Sequence, residues 1–220
     1  MIEEDSIQLG VNMDSLEAKR FFYPRVSEII SKQNQNELRS IPIETLVNAS
    51  IRGKAVHSYC TTYMRKLFMP EIEPAYLPYV DAFIYWFDRN VVKVLDTSRR
   101  FYDDTLKFSG EFDAVVILKD SDLPTLIDIK ATAAKSKTWP LQLAAYRHLC
   151  QLNNFTVHRA MNIHLKVKTP GQYDEKEGQK VLVSAPVVIP KEVPCDDLTG
   201  AWNIFSSALA CYDYFDRKEV

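Results

Sequence analysis

Two short apolar runs separated by a polar turn lie near the middle of the chain. The first reads G-E-F-D-A-V-V-I-L over 110–118, the turn is K-D-S-D over 119–122, and the second reads T-L-I-D-I-K over 125–130. Runs of this length around a polar turn predict a β-hairpin. A helical pattern follows, with apolar residues at Leu141, Ala145, Leu149 and Leu152. Side chains alternate across a strand, so Asp113 is expected on a face with Glu111, Val115 and Ile117, with Phe112, Ala114, Val116 and Leu118 opposite. On the second strand Asp128 and Lys130 share one face, Ile127 and Ile129 the other.

Before the hairpin, Val47, Ile51, Ala55, Tyr59, Tyr63 and Leu67 recur at steps of four. They predict a long helix over about 44–68 with this stripe as its apolar face, ended by Pro70. His57 lies off the stripe, with Ser50, Gly53 and Thr61. Gly53 costs a helix about 1 kcal/mol relative to Ala, which points to a surface that something approaches closely. A second, aromatic helix is expected over 75–88, then a strand over 91–95 and a turn after 101–104. After the hairpin and its helix come a strand over 155–167, a charged loop over 169–179, a strand over 181–189 partly broken by Pro186, and a closing helix over 197–215. At the N-terminus, residues 1–20 read as a loose arm, 21–24 as extended, 26–31 as a short helix and 32–40 as a polar connection. With no repeat or composition break, the expectation is one α/β domain over 21–220 with a helical N-terminal portion.

At 46% hydrophobic the 220 residues exclude a disordered chain, and the net charge of −2 gives no global cationic field. Nucleic-acid binding would therefore rest on local patches or on a metal. The four cysteines, at 60, 150, 195 and 211, form no C-x-x-C pair and match no zinc spacing. Cys60 and Cys150 fall inside helices as small buried thiols, and a reducing, cytosolic setting is the default. The acidic N-terminus resembles neither a secretory signal nor a transit peptide, and no apolar run is long enough to cross a bilayer.

The polar residues of the hairpin carry the chemistry. If its strands pair, the carboxylates of Asp113 and Asp128 and the ammonium of Lys130 converge on an otherwise apolar sheet. Burying such charges unpaired costs several kcal/mol. A divalent cation resolves the conflict, and hard oxygen donors suit magnesium or manganese. A plain salt bridge from Lys130 to Asp128 or Asp113 would also resolve it, and a lone helical histidine such as His57 is commonly a solvated bystander.

Four motifs stand in order along the chain: R-G-K-A-V-H ending at His57, G-E-F-D ending at Asp113, D-I-K from Asp128 to Lys130, and Q-L-A-A-Y from Gln142 to Tyr146. A short leader, Tyr23-Pro24-Arg25-Val26-Ser27 followed by Ile29-Ile30, precedes them. The set resembles the PD-(D/E)XK nuclease superfamily, specifically the RecB-like and phage-type exonuclease branch that includes the mitochondrial genome maintenance exonuclease. The resemblance covers about residues 22–168. It implies a restriction-endonuclease-like core, with a central mixed β-sheet flanked by helices.

It further implies that Asp113 and Asp128 hold Mg2+ or Mn2+ with the backbone carbonyl of Ile129, and that His57 is a further ligand or contacts the scissile phosphate. Lys130 would orient or deprotonate the attacking water, and Gln142 and Tyr146 would position substrate and brace the site. Arg52 and Lys54, with Arg65, Lys66, Lys135, Lys137 and Arg147, are candidates to track phosphates. Many relatives carry a glutamate near the position of Ser98, with Asp96 two residues earlier here, so a supplementary ligand is not implied. The cysteines fit no iron–sulfur cluster, and no helicase motif is present. The implied activity is a stand-alone DNA exonuclease in the cytoplasm of a bacterium or phage-infected cell. Single strands or ends would be its substrate, repair or recombination its setting, and replication or recombination proteins its further partners. An endonuclease using the same site on structured DNA, and a non-catalytic nucleic-acid-binding or assembly protein on a nuclease scaffold, are the alternatives.

Overall fold

A computed structural model describes residues 16–176 and 179–217. Four helices open the chain: α1 (Leu16–Phe22), α2 (Val26–Ser31), α3 (Gln35–Leu38), after a single 3-10 turn at Lys32–Asn34, and α4 (Ile43–Met64). Next come α5 (Leu77–Asn90), β1 (Val91–Asp103), β2 (Phe108–Leu118), β3 (Ser121–Lys130) and α6 (Trp139–Leu152). The chain continues through β4 (Arg159–Thr169), β5 (Gln172–Lys176), β6 (Gln179–Ser184), β7 (Val187–Pro194) and α7 (Leu198–Phe215). Five strands form one sheet in the order β1-β2-β3-β4-β7, while β5 and β6 pair as a separate hairpin. Among the described strands only β3 and β4 pair in parallel, so their connection must cross over, and α6 makes that crossover. This is the expected mixed sheet flanked by helices.

Each face of the sheet carries its own core. One packs α2, α6 and α7 against Phe112, Val115 and Leu126. The other packs α4 and α5 against Ala114, Val116, Ile127, Ile129 and Ile163. Pro78 and Pro140 stand in the first turns of α5 and α6, where the missing N–H has no helical partner to lose. Asp197 caps α7 by accepting the Gly200 N–H at 2.7 Å, a contact that satisfies one orphan donor. The leader docks on the sheet: Ser109 N–H donates to the Pro24 carbonyl at 2.9 Å, and Tyr23, Val26, Ile29 and Ile30 are buried.

Several expectations are corrected. Residues 16–22 are helical, not arm or extended chain; residues 1–15 lie outside the described part. The 32–40 connection contains α3 and the 3-10 turn. The buried face of α4 is Val56, Cys60, Thr61 and Met64, whereas Val47, Ile51 and Leu67 are 48%, 52% and 58% exposed. At about 100° per residue each step of four drifts by about 40°, so the ladder winds about 200° between residues 47 and 67. The helix ends before Pro70: Lys66 is left-handed at φ 55°, and its N–H turns back to the Tyr63 carbonyl at 2.9 Å. The expected 169–179 loop contains β5. The expected 181–189 strand is two strands of different sheets, parted at Ala185-Pro186, where proline offers no ladder N–H.

Gly110 is required by close approach. A Cβ there would lie 2.8 Å from both Leu149 Cδ1 and Tyr146 Cε1 of α6. Gly110→Ala is expected to destabilise the fold by about 1–3 kcal/mol through overpacking, read from urea unfolding; an unchanged midpoint would show that α6 yields freely. All four cysteines are free, with Cys60 and Cys150 buried as expected. Among the described residues no helix is long and apolar enough to cross a membrane.

Candidate active site

The site forms where two paired strands part. β2 and β3 pair from Leu118↔Ser121, through a register shift between Val116 and Leu118, up to Ala114↔Ile127, and Asp113 is the next residue on β2. Its Oδ2 accepts the Ile129 N–H at 2.6 Å, so a side-chain carboxylate takes the place of a ladder carbonyl. Within a strand the N–H and C=O of one residue point to the same side. The Ile129 carbonyl therefore faces the same gap. Strict alternation also fails here: Phe112 and Val115 lie in the same core with α6, so the pleat slips at Asp113 and the expected faces of β2 hold on only one side of it.

Asp113 is 7% exposed and Asp128 2%. Asp113 Oδ1 is 3.1 Å from His57 Nδ1 on α4. Asp128 Oδ2 accepts from Lys130 Nζ at 2.7 Å and from Asn162 Nδ2 at 2.8 Å. The same ammonium donates to Gln142 Oε1 at 2.6 Å, and Gln142 Nε2 donates to the Tyr146 hydroxyl at 2.8 Å. One turn of α6 thus presents an amide and a phenol side by side, as their spacing predicts. The structure brings His57, Asp113, Asp128, Lys130, Gln142 and Tyr146 together, and the salt bridge from Lys130 is made to Asp128.

Behind His57 stands a pair of hydroxyls. Thr61 Oγ1 lies 3.4 Å from His57 Nε2 and 3.1 Å from Ser98 Oγ. Ser98 is left-handed at φ 47° and falls between the pairs Thr97↔Ala114 and Arg99↔Phe112, directly opposite Asp113. Strained backbone on one strand thus faces the displaced carboxylate on the other. Thr61 joins His57 as its helical spacing suggested. Gly53 does not admit a close neighbour within the chain, since a Cβ there would meet nothing within 4 Å.

Burial raises Asp128 above the usual carboxylate range; the Lys130 ammonium opposes the shift, and the nearby Asp113 charge adds to it. Asp113 holds the His57 imidazole protonated, raising it to about 9 against the opposing pull of burial. Burial, and then the charges of Asp128 and Asp113, push the Tyr146 phenol far up, so it remains neutral. Two carboxylates are thus balanced by one imidazolium and one ammonium. Among the described residues no group of three His, Cys, Asp or Glu side chains is arranged to hold a metal ion. What remains is an open set of two carboxylates and one strand carbonyl, all hard oxygens, which fits an ion that takes one or two protein carboxylates and keeps its waters.

Two candidates stand apart from this array. Arg52 is folded onto the protein, donating from Nε to the Ala131 carbonyl at 3.2 Å with its guanidinium 5.5 Å from the Tyr79 ring centroid. It braces the chain just beyond Lys130. Lys54 is exposed on α4, without a hydrogen bond to the site among the described residues. Asn162 escaped the sequence reading. Its signal was a carboxamide inside the apolar run A-M-N-I-H-L, in parallel register with Asp128.

No family model matches the sequence, and no curated protein matches it. Among solved structures, a "putative exonuclease" from Eubacterium rectale aligns with 91% of this chain and 83% of its own, at 12% identity and a TM-score of 0.48. A second, SSO0001, aligns with 86% of this chain and 76% of its own, at 12% identity and a TM-score of 0.35. At these values neither likeness bears on what the chain does.

Proposed function

We propose that the chain is a Mg2+- or Mn2+-dependent deoxyribonuclease of the PD-(D/E)XK type it resembles, acting on single strands or DNA ends. The observation that carries this reading is the wedge at the parting of β2 and β3. Two nearly buried carboxylates, Asp113 and Asp128, stand there beside an ammonium that Asp128 and Gln142 hold in place. Two hard carboxylate donors brought this close together suit a divalent cation.

Asp113, Asp128 and the Ile129 carbonyl would hold that cation. When bound, it supplies the acidity that turns water into a nucleophile near neutral pH and offsets charge on the phosphoryl oxygens. The rest falls to the chain's own groups. Lys130 Nζ orients the attacking water and takes up negative charge on the phosphate. Gln142, braced by Tyr146, keeps that amine aimed. Both His57 nitrogens are engaged, by Asp113 and by Thr61, so His57 serves to orient Asp113. In-line attack of water on phosphorus breaks the bond to O3′, leaving a 5′-phosphate and a 3′-hydroxyl.

The test is incubation of the protein with end-labelled linear single- and double-stranded DNA and with closed single-stranded circles, in Mn2+ and in EDTA. Linear single strands are expected to shorten in Mn2+ only, with circles intact. Cut circles would make the activity endonucleolytic. Failure to cut any substrate in Mn2+ or Mg2+ would overturn the nuclease reading.

A further inference from the structure

A large cavity lies outside the wedge. It is a groove of about 890 Å3 between the ends of α4 and α5 and the start of β1. Arg65, Lys66 and Lys93 line it together with Tyr63, Leu67 and Phe87. Its one carboxylate, Asp88, already accepts the Tyr63 hydroxyl at 2.8 Å. Among the described residues neither Lys66 nor Lys93 is in an ion pair. The apolar part is open to solvent, with Leu67 58% and Val92 64% exposed. Net positive charge beside half-buried rings and exposed aliphatic groups matches an unstacked nucleic-acid strand, whose phosphates need cations and whose bases need flat apolar contacts. A groove of this volume matches a few nucleotides.

Arg65 links the groove to the site. His57, Thr61 and Arg65, the residue that caps α4, are spaced one turn apart, so Arg65 stands about 12 Å along the helix axis from His57. Its guanidinium donates to Thr97 Oγ1 at 2.7 Å and to the Thr97 carbonyl at 2.9 Å. Thr97 precedes Ser98, the residue opposite Asp113.

We infer that this groove is the track along which one unpaired strand reaches the carboxylates, an inference that rests on the nuclease reading above. Lys66 and Lys93 contact its phosphates, and Tyr63, Phe87 and Leu67 its bases. Neither lysine belongs to the reacting groups, so they set strand affinity and leave the chemical step alone.

The test uses the full chain and the double variant K66E/K93E. Affinity for fluorescein-labelled dT20 is measured in EDTA by anisotropy across a salt series. Hydrolysis of long single strands and of bis(p-nitrophenyl) phosphate is measured in Mn2+. The variant is expected to bind dT20 on the order of tenfold more weakly, with a salt slope lower by about 1.4, roughly 0.7 per lost cation. Its KM for long strands rises in step, while hydrolysis of the small diester is unchanged. Unchanged dT20 affinity and slope would overturn the inference, as would a variant that differs from the parent only in self-association by sedimentation, which would assign the groove to a second copy. If the parent hydrolyses neither substrate the nuclease reading fails, and the dT20 comparison alone then decides the groove.

Discussion

Asp113→Asn is expected to lower Mn2+-dependent cleavage on the order of a thousandfold, while the melting temperature stays within a few degrees of the parent. Asparagine has nearly the shape of aspartate and keeps an oxygen for the Ile129 N–H, which Asp113 Oδ2 now accepts at 2.6 Å. What it removes is one of the two anionic donors in the wedge. Losing several kcal/mol of charge stabilisation corresponds to two to four decades in rate, at about 1.4 kcal/mol per decade. Asp113→Ala makes a useful contrast. It removes the same charge but also orphans the buried Ile129 N–H, at a further cost of about 1–3 kcal/mol in stability. Rate measurements on matched protein, with thermal melts of both variants, check the pair. Undiminished cleavage by Asp113→Asn would remove Asp113 from the site.

Lys130→Ala is expected to lose roughly two to three decades in rate and to bind Mn2+ at least as well as the parent. The ammonium competes for Asp128 Oδ2, at 2.7 Å, so its removal leaves that oxygen to the ion. Without metal the variant is expected to be less stable, because Asp128 then remains buried with its charge uncompensated, a loss of about 3 kcal/mol or more when one partner of a buried pair is deleted. Added Mn2+ restores that stability by binding only the folded form. Calorimetric titration with Mn2+, melts with and without the ion, and single-turnover cleavage check this. A loss of Mn2+ affinity equal to the loss of rate would make the role of Lys130 structural.

Some of this arrangement could be read from the residues alone. The central hairpin and the closing helix stand out because they are rich in apolar residues and their ends carry turn or cap residues, as Asp197 does before α7. Asp128, Lys130, Gln142 and Tyr146 were legible because period-2 and one-turn spacings fix which side chains meet. The stripe on α4 misled, since a ladder at steps of four spirals off one face over five turns, and the buried set at 56, 60 and 64 is shorter and includes a cysteine. The slip at Asp113 left no mark in the sequence. It arises from the left-handed Ser98 across the ladder and from the carboxylate's own bond to Ile129, both of which depend on residues brought together by folding. The partner of Asn162 and the Thr61–Ser98 pair were invisible for the same reason: each contact joins residues more than thirty positions apart. The β5–β6 hairpin was hidden by its charged, loop-like composition, because its pairing is carried by backbone.

On the proposed reading the carboxylates of Asp113 and Asp128, drawn together where β2 and β3 separate, share one divalent ion. Anomalous diffraction from crystals grown with Mn2+ is the decisive measurement. One strong manganese peak is expected in direct coordination with an oxygen of each of the two aspartates. A map with no peak between them, or with the ion bound elsewhere, would overturn the shared site.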